Sequence, residues 1–144
     1  MGRYWNQTDL IRHIEAHNRH VVSQFTVPVL IGTQSANFEI PLWVPPTQGY
    51  RFERVYLVCS VAHTPSASAY WSLSVNQIVG GRYETLSTLG TDTRGIGALE
   101  TTLFSAADAG LDLGPEEPLV IRGTKTGSPA ALTNCLIQLV LSVA

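Results

Sequence analysis

The sequence predicts an all-β protein, an antiparallel β-sandwich that follows a short helical arm. Only 14% of its 144 residues are charged, against about 25% in an average soluble domain. Fourteen Thr and eleven Ser supply a neutral polar surface instead, which suits the outward faces of strands better than those of helices. A chain of this length forms one domain with a sizeable core. We therefore expect an arm over residues 1–20 and one sandwich domain over residues 21–144.

The first twenty residues have helical spacing. Thr8 or Asp9 can cap a helix through its side-chain oxygen. The residues that then share one face, at spacings of 4, 3 and 4, are Leu10, Ile14, His17 and Val21. This segment is the one convincing helix that the sequence predicts.

Two large aromatic residues, Tyr4 and Trp5, precede the capping position. Such rings are costly to leave in water unless they dock on another surface. We expect the arm either to contact a neighbouring subunit or to fold back over the open end of its own sandwich. The residues predicted to make intersubunit or capsid contacts are Tyr4, Trp5, Leu10, Ile14 and His17.

From residue 21 onward the pattern is strand and turn. Eight runs are predicted as strands: Val21–Ile31, Phe38–Val44, Phe52–Ala62, Trp71–Val79, Arg82–Leu89, Ala98–Phe104, Pro118–Arg122 and Ala131–Val143. Pro28 confines the first strand to a sheet edge or a bulge. The third run is almost continuously apolar after Arg54, which predicts a strand covered on both faces.

The linkers favour one topology, an eight-stranded jelly roll. Gly80-Gly81 forms the single two-residue turn, and both glycines can adopt a positive φ. In a jelly roll, strands 1, 8, 3 and 6 form one sheet and strands 2, 7, 4 and 5 the other. Only strands 4 and 5 are then sequential neighbours in a sheet, as the single tight turn requires. An immunoglobulin-like sandwich needs more hairpins and a Cys, Trp, Cys spacing that this chain lacks.

The two cysteines and the N-terminus bear on the cellular compartment. Cys59 and Cys135 lie in apolar runs 76 positions apart, unlike the short spacings of small secreted disulfide scaffolds. We expect two buried free thiols, although neighbouring strands could bring the cysteines within bonding range. The N-terminus has no apolar signal region, and no run approaches the ~20 residues of a membrane helix. We expect a soluble chain made in the cytoplasm, with no membrane partner.

Enzymatic and nucleic-acid functions receive no support from the sequence. A net charge of −2 and a pI near 6.0 argue against binding that neutralises phosphates. No Gly-x-Ser-x-Gly motif occurs, and neither cysteine has the electropositive surroundings that lower a thiol pKa. We predict no catalytic residue and no cofactor.

Three histidines form the only candidate metal site. His13, His17 and His20 share one side of the predicted helix and could converge on zinc or nickel. No cysteine or carboxylate of the helix completes the ligand set. We therefore expect a polar helix flank and no metal.

Aromatic residues in the strand region raise an alternative function. Trp43, Tyr50, Tyr70, Trp71 and Tyr83 could form a sugar-stacking platform of a carbohydrate-binding, lectin-like module. Strand alternation separates Tyr70 from Trp71, so at least one of these two rings is expected in the core.

A jelly roll of about 140 residues with few charges, much Thr and Ser, no catalytic set and an N-terminal arm resembles the auxiliary, or decoration, proteins of tailed-bacteriophage heads. The resemblance covers the whole chain and rests on architecture and composition. It implies a homotrimer on the capsid exterior of a virion. The trimer would contact the major capsid protein and clamp the shell against internal DNA pressure.

The histidine interpretation predicts the response to zinc. Titration with zinc is expected to leave the thermal melting temperature of the full chain unchanged, because the helix supplies no complete ligand set. A zinc-dependent rise in melting temperature that disappears in His17→Ala would contradict this expectation.

Overall fold

The computed structural model describes residues 24–106 and 111–143, which form two antiparallel sheets packed as a sandwich. The predicted arm and helix, residues 1–20, lie outside the described residues. The strands of the described residues are β1 (Gln24–Gln34), β2 (Phe38–Trp43), β3 (Tyr50–Val58), β4 (Tyr70–Val79), β5 (Arg82–Gly90), β6 (Thr102–Leu103), β7 (Ser105–Ala106), β8 (Leu111–Leu113), β9 (Leu119–Thr126) and β10 (Leu132–Val143). No helix of the described part is long and apolar enough to cross a membrane.

The strand order confirms the predicted jelly roll. The first sheet has the order β1-β10-β3-β6, with β8 also paired to β3, and the second has the order β2-β9-β4-β5-β7. Among the described strands, only β4 and β5 are neighbours both in sequence and in a sheet. Their turn is the predicted Gly80-Gly81, with φ of 57° and 76°. Both glycines thus take the left-handed backbone that a type I′ hairpin requires.

The core lies between the inner faces of the two sheets. β4 contributes Trp71, Leu73 and Val75, and β10 contributes Ile137 and Leu139 from the opposite sheet, all at most 2% exposed. In both strands these residues alternate with the outward-facing ones, because successive strand residues point to opposite sides.

The two outermost strands on one side of the sandwich each contain a proline. β1 and β2 begin the two strand orders, and they carry Pro28 and Pro41. A proline cannot donate a ladder hydrogen bond, so it is tolerated where the N–H position faces away from the partner strand. The predicted edge position of the first strand is confirmed.

The sixth predicted strand, Ala98–Phe104, is wrong in its extent. Only Thr102–Leu103 pairs with β3, and the next two residues, Ser105–Ala106, pair with β5 of the other sheet. Leu99 has a φ of 56°, a left-handed conformation that a strand cannot contain. Phe104 is buried, although the chain at this point passes from one sheet to the other and does not form a continuous strand.

The prediction that the third strand is covered on both faces is also wrong. Phe52, Val55 and Leu57 are fully buried, whereas Tyr56 and Val58 on the outer face are only half-buried. Apolar residues therefore occupy an outer sheet face that the sequence pattern assigned to the interior.

The expectation of two free thiols is wrong, because Cys59 and Cys135 form a disulfide. Val58 pairs with Leu136 in the antiparallel β3–β10 register, so Cys59, which follows Val58, lies opposite Cys135, which precedes Leu136. The two Cα atoms are 4.3 Å apart, close to the spacing of a non-hydrogen-bonded antiparallel pair. Adjacent strands bring together residues that are 76 positions apart in the chain, which sequence spacing alone cannot reveal.

We expect removal of the disulfide to lower the free energy of unfolding substantially. Closing a loop of 76 residues lowers unfolded-state entropy by an amount worth about 4 kcal/mol. We expect the free energy of unfolding of the double variant Cys59→Ala/Cys135→Ala, measured by urea denaturation, to be lower than that of the parent by roughly this amount. A reductant should destabilise the parent chain and leave the double variant unchanged. Equal stability of the parent and the double variant would contradict the prediction.

Candidate binding surfaces

The outer face of the first sheet carries an apolar surface that is interrupted by one polar residue, Gln138. Across the register, Leu30 of β1 faces Leu136 of β10, which faces Val58 of β3. The adjacent row runs from Pro28 through Gln138 and Tyr56 to Leu103 of β6. We define the outer apolar patch as Pro28, Leu30, Tyr56, Val58, Leu103 and Leu136. Leu30 is 82% exposed and Leu103 is 41% exposed.

Charge is held at the border of the outer apolar patch. Arg54, in the next row of β3, donates from Nε to the Tyr56 hydroxyl at 2.9 Å. Its Nη2 donates to the Gln24 side-chain oxygen at 3.4 Å. The six residues of the patch carry no charged side chain. An exposed apolar surface of this kind is typical of an interaction site.

The outer face of the second sheet is polar. Ser72, Ser74, Thr88, Arg122 and Thr124 line a shallow, open depression of about 420 Å³. Farther along the face, Thr85 donates to the Asn76 side chain at 2.9 Å, and Asn76 donates to the Ser74 hydroxyl at 2.9 Å. The two outer faces of the sandwich therefore differ in chemistry, one apolar and one lined by hydroxyl and amide groups.

One aromatic side chain crosses this polar face. The Tyr83 hydroxyl on β5 donates to the Glu39 carboxylate on β2 at 2.6 Å, and the Arg122 guanidinium lies 4.1 Å from the Tyr83 ring centroid. The hydrogen bond to Glu39 raises the pKa of Tyr83, with contributions from desolvation and from the negative charge of Glu39, while Arg122 opposes the shift. The three side chains link β2, β9 and β5 across the outer face of the second sheet.

A third surface lies where β1 and β2 meet at the side of the sandwich. Most inward-facing side chains of these two edge strands pack against the core but remain only partly buried, whereas Ile31 and Leu42 are buried in it. We define the edge seam as Phe25, Val27 and Val29 of β1 with Phe38 and Ile40 of β2. The seam is apolar throughout.

An aromatic cluster closes one end of the edge seam. Phe25 contacts Trp43 and Tyr50 edge-on, with ring centroids 6.1 and 5.9 Å apart. Trp43 and Tyr50 are 5.2 Å apart at an interplanar angle of 74°. Such edge-to-face pairs stabilise each other beyond their burial. The cluster lies where the chain enters β1 at Gln24.

The five aromatic residues considered for sugar stacking lie on different surfaces. Trp71 is fully buried and its indole N–H donates to the Ala130 carbonyl at 2.9 Å, as expected for one ring of the Tyr70–Trp71 pair. Trp43 and Tyr50 contact each other and Phe25. Tyr83 lies on the outer face of the second sheet with Arg122 over its ring. A single platform of five rings does not form.

The predicted contact residues lie outside the described residues, as do the three histidines of the candidate metal site. These residues are Tyr4, Trp5, Leu10, Ile14 and His17, with His13 and His20. Sequence reasoning missed the outer apolar patch. The available signal was the third strand, which is apolar on both faces, together with Leu30 beside the inward-facing Val29.

Within residues 24–106 and 111–143, no three His, Cys, Asp or Glu side chains group as metal ligands. His63, the one histidine of that part of the chain, is nearly buried. Its Nε2 lies 3.1 Å from the Ala131 carbonyl oxygen, so a backbone contact accounts for its position.

Comparison with known proteins gives weak structural similarity and no sequence match. No family model matches the chain, and no curated protein matches it. The fold is similar to a chain in the solved structure of infectious bursal disease virus, Gx strain, at 11% identity and a TM-score of 0.34. The match covers 84% of this chain and 37% of that chain, so this chain spans little more than a third of its neighbour's length.

The Tyr83–Glu39 hydrogen bond predicts a specific titration. Glu39→Gln should lower the pKa of Tyr83 toward its ordinary value of 10.0, because a phenolate would no longer form beside a carboxylate. The raised pKa also implies that this contact stabilises the fold below about pH 10 and that its contribution is lost as the phenol ionises. NMR titration of ¹³C-labelled tyrosine rings measures the shift. Glu84→Gln serves as the control, and an unchanged Tyr83 pKa in Glu39→Gln would contradict the assignment.

Proposed function

We propose that the chain is a structural virion protein that binds the outer surface of a tailed-phage capsid as a homotrimer and stabilises the shell. The observation that carries the proposal is the outer apolar patch, with Leu30 82% exposed at its edge. Burying such a leucine against a partner contributes about 1.5–3 kcal/mol. Without a partner for this face, the leucine side chain would remain exposed to water.

The low charge of the chain supports a role in assembly. Charged residues are depleted at the cores of protein interfaces because their desolvation is costly. The six residues of the outer apolar patch are uncharged, and the neighbouring Arg54 is hydrogen-bonded to Tyr56 and Gln24. The face is therefore suited to close contact with another protein surface, here the major capsid protein.

The Cys59–Cys135 disulfide is consistent with a virion component. Disulfides persist in oxidising settings, including the surfaces of virions, and are rare in proteins that remain in the cytosol. A covalent link between β3 and β10, two central strands of the first sheet, supports the sheet that carries the outer apolar patch.

Trimerisation would raise the overall affinity for the shell above that of a single weak contact. Three linked subunits raise the effective concentration of the second and third contacts once the first has formed. Each outer apolar patch could then bind the shell weakly while the assembled oligomer remains attached.

Charge placed in the outer apolar patch tests the proposal. We expect the parent chain to co-sediment with heads of the phage whose genome encodes it, prepared without this protein. Leu30→Asp should reduce the bound fraction at least tenfold, because the carboxylate would have to be desolvated in the contact. Thr88→Asp places the same charge at an exposed strand position of the other sheet and should bind as the parent does. Equal binding of Leu30→Asp and the parent would overturn the role of this face.

A further inference from the structure

We propose that the polar depression on the outer face of the second sheet binds a saccharide that carries a carboxylate. The polar depression is the one lined by Ser72, Ser74, Thr88, Arg122 and Thr124. This binding activity goes beyond the proposed capsid role, and it uses the face of the sandwich opposite the outer apolar patch. The domain thus binds the shell through one sheet and an acidic glycan through the other.

Small side chains form the floor of the polar depression. Two consecutive rows cross β9, β4 and β5, one made of Thr124, Ser72 and Gly90 and the other of Arg122, Ser74 and Thr88. Three neighbouring strands are about 10 Å across, and successive rows on one face are about 7 Å apart. The floor therefore has the dimensions of one sugar ring with its hydroxyl groups.

Hydrogen bonds within the sheet prepare the floor for a ligand that has hydroxyl groups. Thr85 donates to Oδ1 of Asn76 at 2.9 Å, which fixes the orientation of the amide. Nδ2 of Asn76 donates to Oγ of Ser74 at 2.9 Å, so the Ser74 hydroxyl is an acceptor there and keeps its proton for a ligand. Ser72 and Thr88 add two hydroxyls to the lining. Sugar hydroxyls both donate and accept, so they match this lining.

Arg122 supplies the charge of the site. Its register partner on β2 is Glu39, but the Glu39 carboxylate accepts the Tyr83 hydroxyl at 2.6 Å. The Arg122 guanidinium lies 4.1 Å from the Tyr83 ring centroid. Within residues 24–106 and 111–143 the single ion pair joins Arg51 and Asp112, so the contact with Tyr83 holds the guanidinium at the depression without pairing its charge. A guanidinium binds a carboxylate through two parallel N–H donors.

The charge of the polar depression favours one carboxylate on an otherwise neutral ligand. Arg122 is the single cation among the lining residues, and the carboxylate of Glu39 lies on the neighbouring strand. A nucleic acid requires cations repeated along its backbone, and the whole chain has a net charge of −2. One guanidinium among hydroxyls instead matches the single carboxylate and the hydroxyls of a sialic or uronic acid.

Two tyrosines of the same face lie on either side of the polar depression along the strands. Tyr70 precedes Ser72 by two positions on β4 and therefore faces the same side of the sheet. Tyr83 lies toward the other end of β4, where it pairs with Ile78, and it is 44% exposed. A tyrosine combines an apolar ring with a polar tip, which suits the C–H face and the hydroxyls of a sugar.

NMR titration of the ¹⁵N-labelled full-length chain tests the site. The acidic probes are sialyllactose, with lactose as its neutral control, and trigalacturonic acid, with its methyl ester as the neutral control. We expect at least one acidic probe to shift the amide signals of Ser72, Ser74 and Thr88. Its neutral control should bind at least tenfold more weakly, because it lacks the charge-assisted hydrogen bonds to Arg122. The acidic probe that binds distinguishes a sialylated glycan from a uronic acid polysaccharide.

Matched variants assign the binding to the polar depression. Arg122→Gln should weaken binding of that acidic probe at least tenfold. Arg82→Gln removes the same charge at the start of β5, outside the depression, and should bind as the parent does. Thr88→Asp places a carboxylate in the floor and should also weaken binding, which guards against a failure of Arg122→Gln to fold. Leu30→Asp, on the first sheet, should bind the probe as the parent does.

The saccharide site is overturned if neither acidic probe shifts these amide signals or if the neutral controls bind equally well. It is also overturned if Arg122→Gln and Thr88→Asp both bind as the parent does. A chain that co-sediments with heads but binds neither probe rejects the saccharide site alone. Saccharide binding by a chain that does not co-sediment with heads keeps the site and rejects the capsid role.

Discussion

The burial of two inner sheet faces against each other is the interaction on which the rest of the structure depends. β10 lies between β1 and β3. Its fully buried Ile137 and Leu139 face the second sheet, whose inner side carries the fully buried Trp71. Because the jelly-roll order places β1 and β2 at one side of both sheets, this packing leaves most of their inward-facing residues only partly covered. The edge seam is thus a direct consequence of the topology.

Alternation predicted most of this architecture. The inward sets of β4 and β10 were recognisable because each strand alternates between a buried and an outer face, and Gly80-Gly81 identified the one hairpin that fixes the topology. The prediction of the sixth strand was wrong because a hydrophobic pattern does not reveal the left-handed backbone of Leu99. The prediction of two free thiols was wrong because the Cys59–Cys135 bond depends on the register of β3 with β10, which only the folded sheet determines.

The candidate surfaces were less predictable than the fold. The apolar runs of β1 and β3 were visible in the sequence, but the sequence does not distinguish an apolar residue on an outer face from one in the core. Their assignment needed the register that aligns Leu30, Leu136 and Val58 in one row. The polar outer face of the second sheet gives the opposite chemistry on the same domain, so the sandwich has one side suited to a dry contact and one suited to solvent.

The core of the domain is closed, whereas its edge seam and its outer apolar patch are only partly covered by the domain itself. The proposed function makes the chain a subunit of a larger assembly. Sedimentation equilibrium of the full chain at micromolar concentrations measures its oligomeric state. A homotrimer would give a single species with three times the 15.6 kDa mass of the chain. A species of 15.6 kDa at every concentration would contradict it.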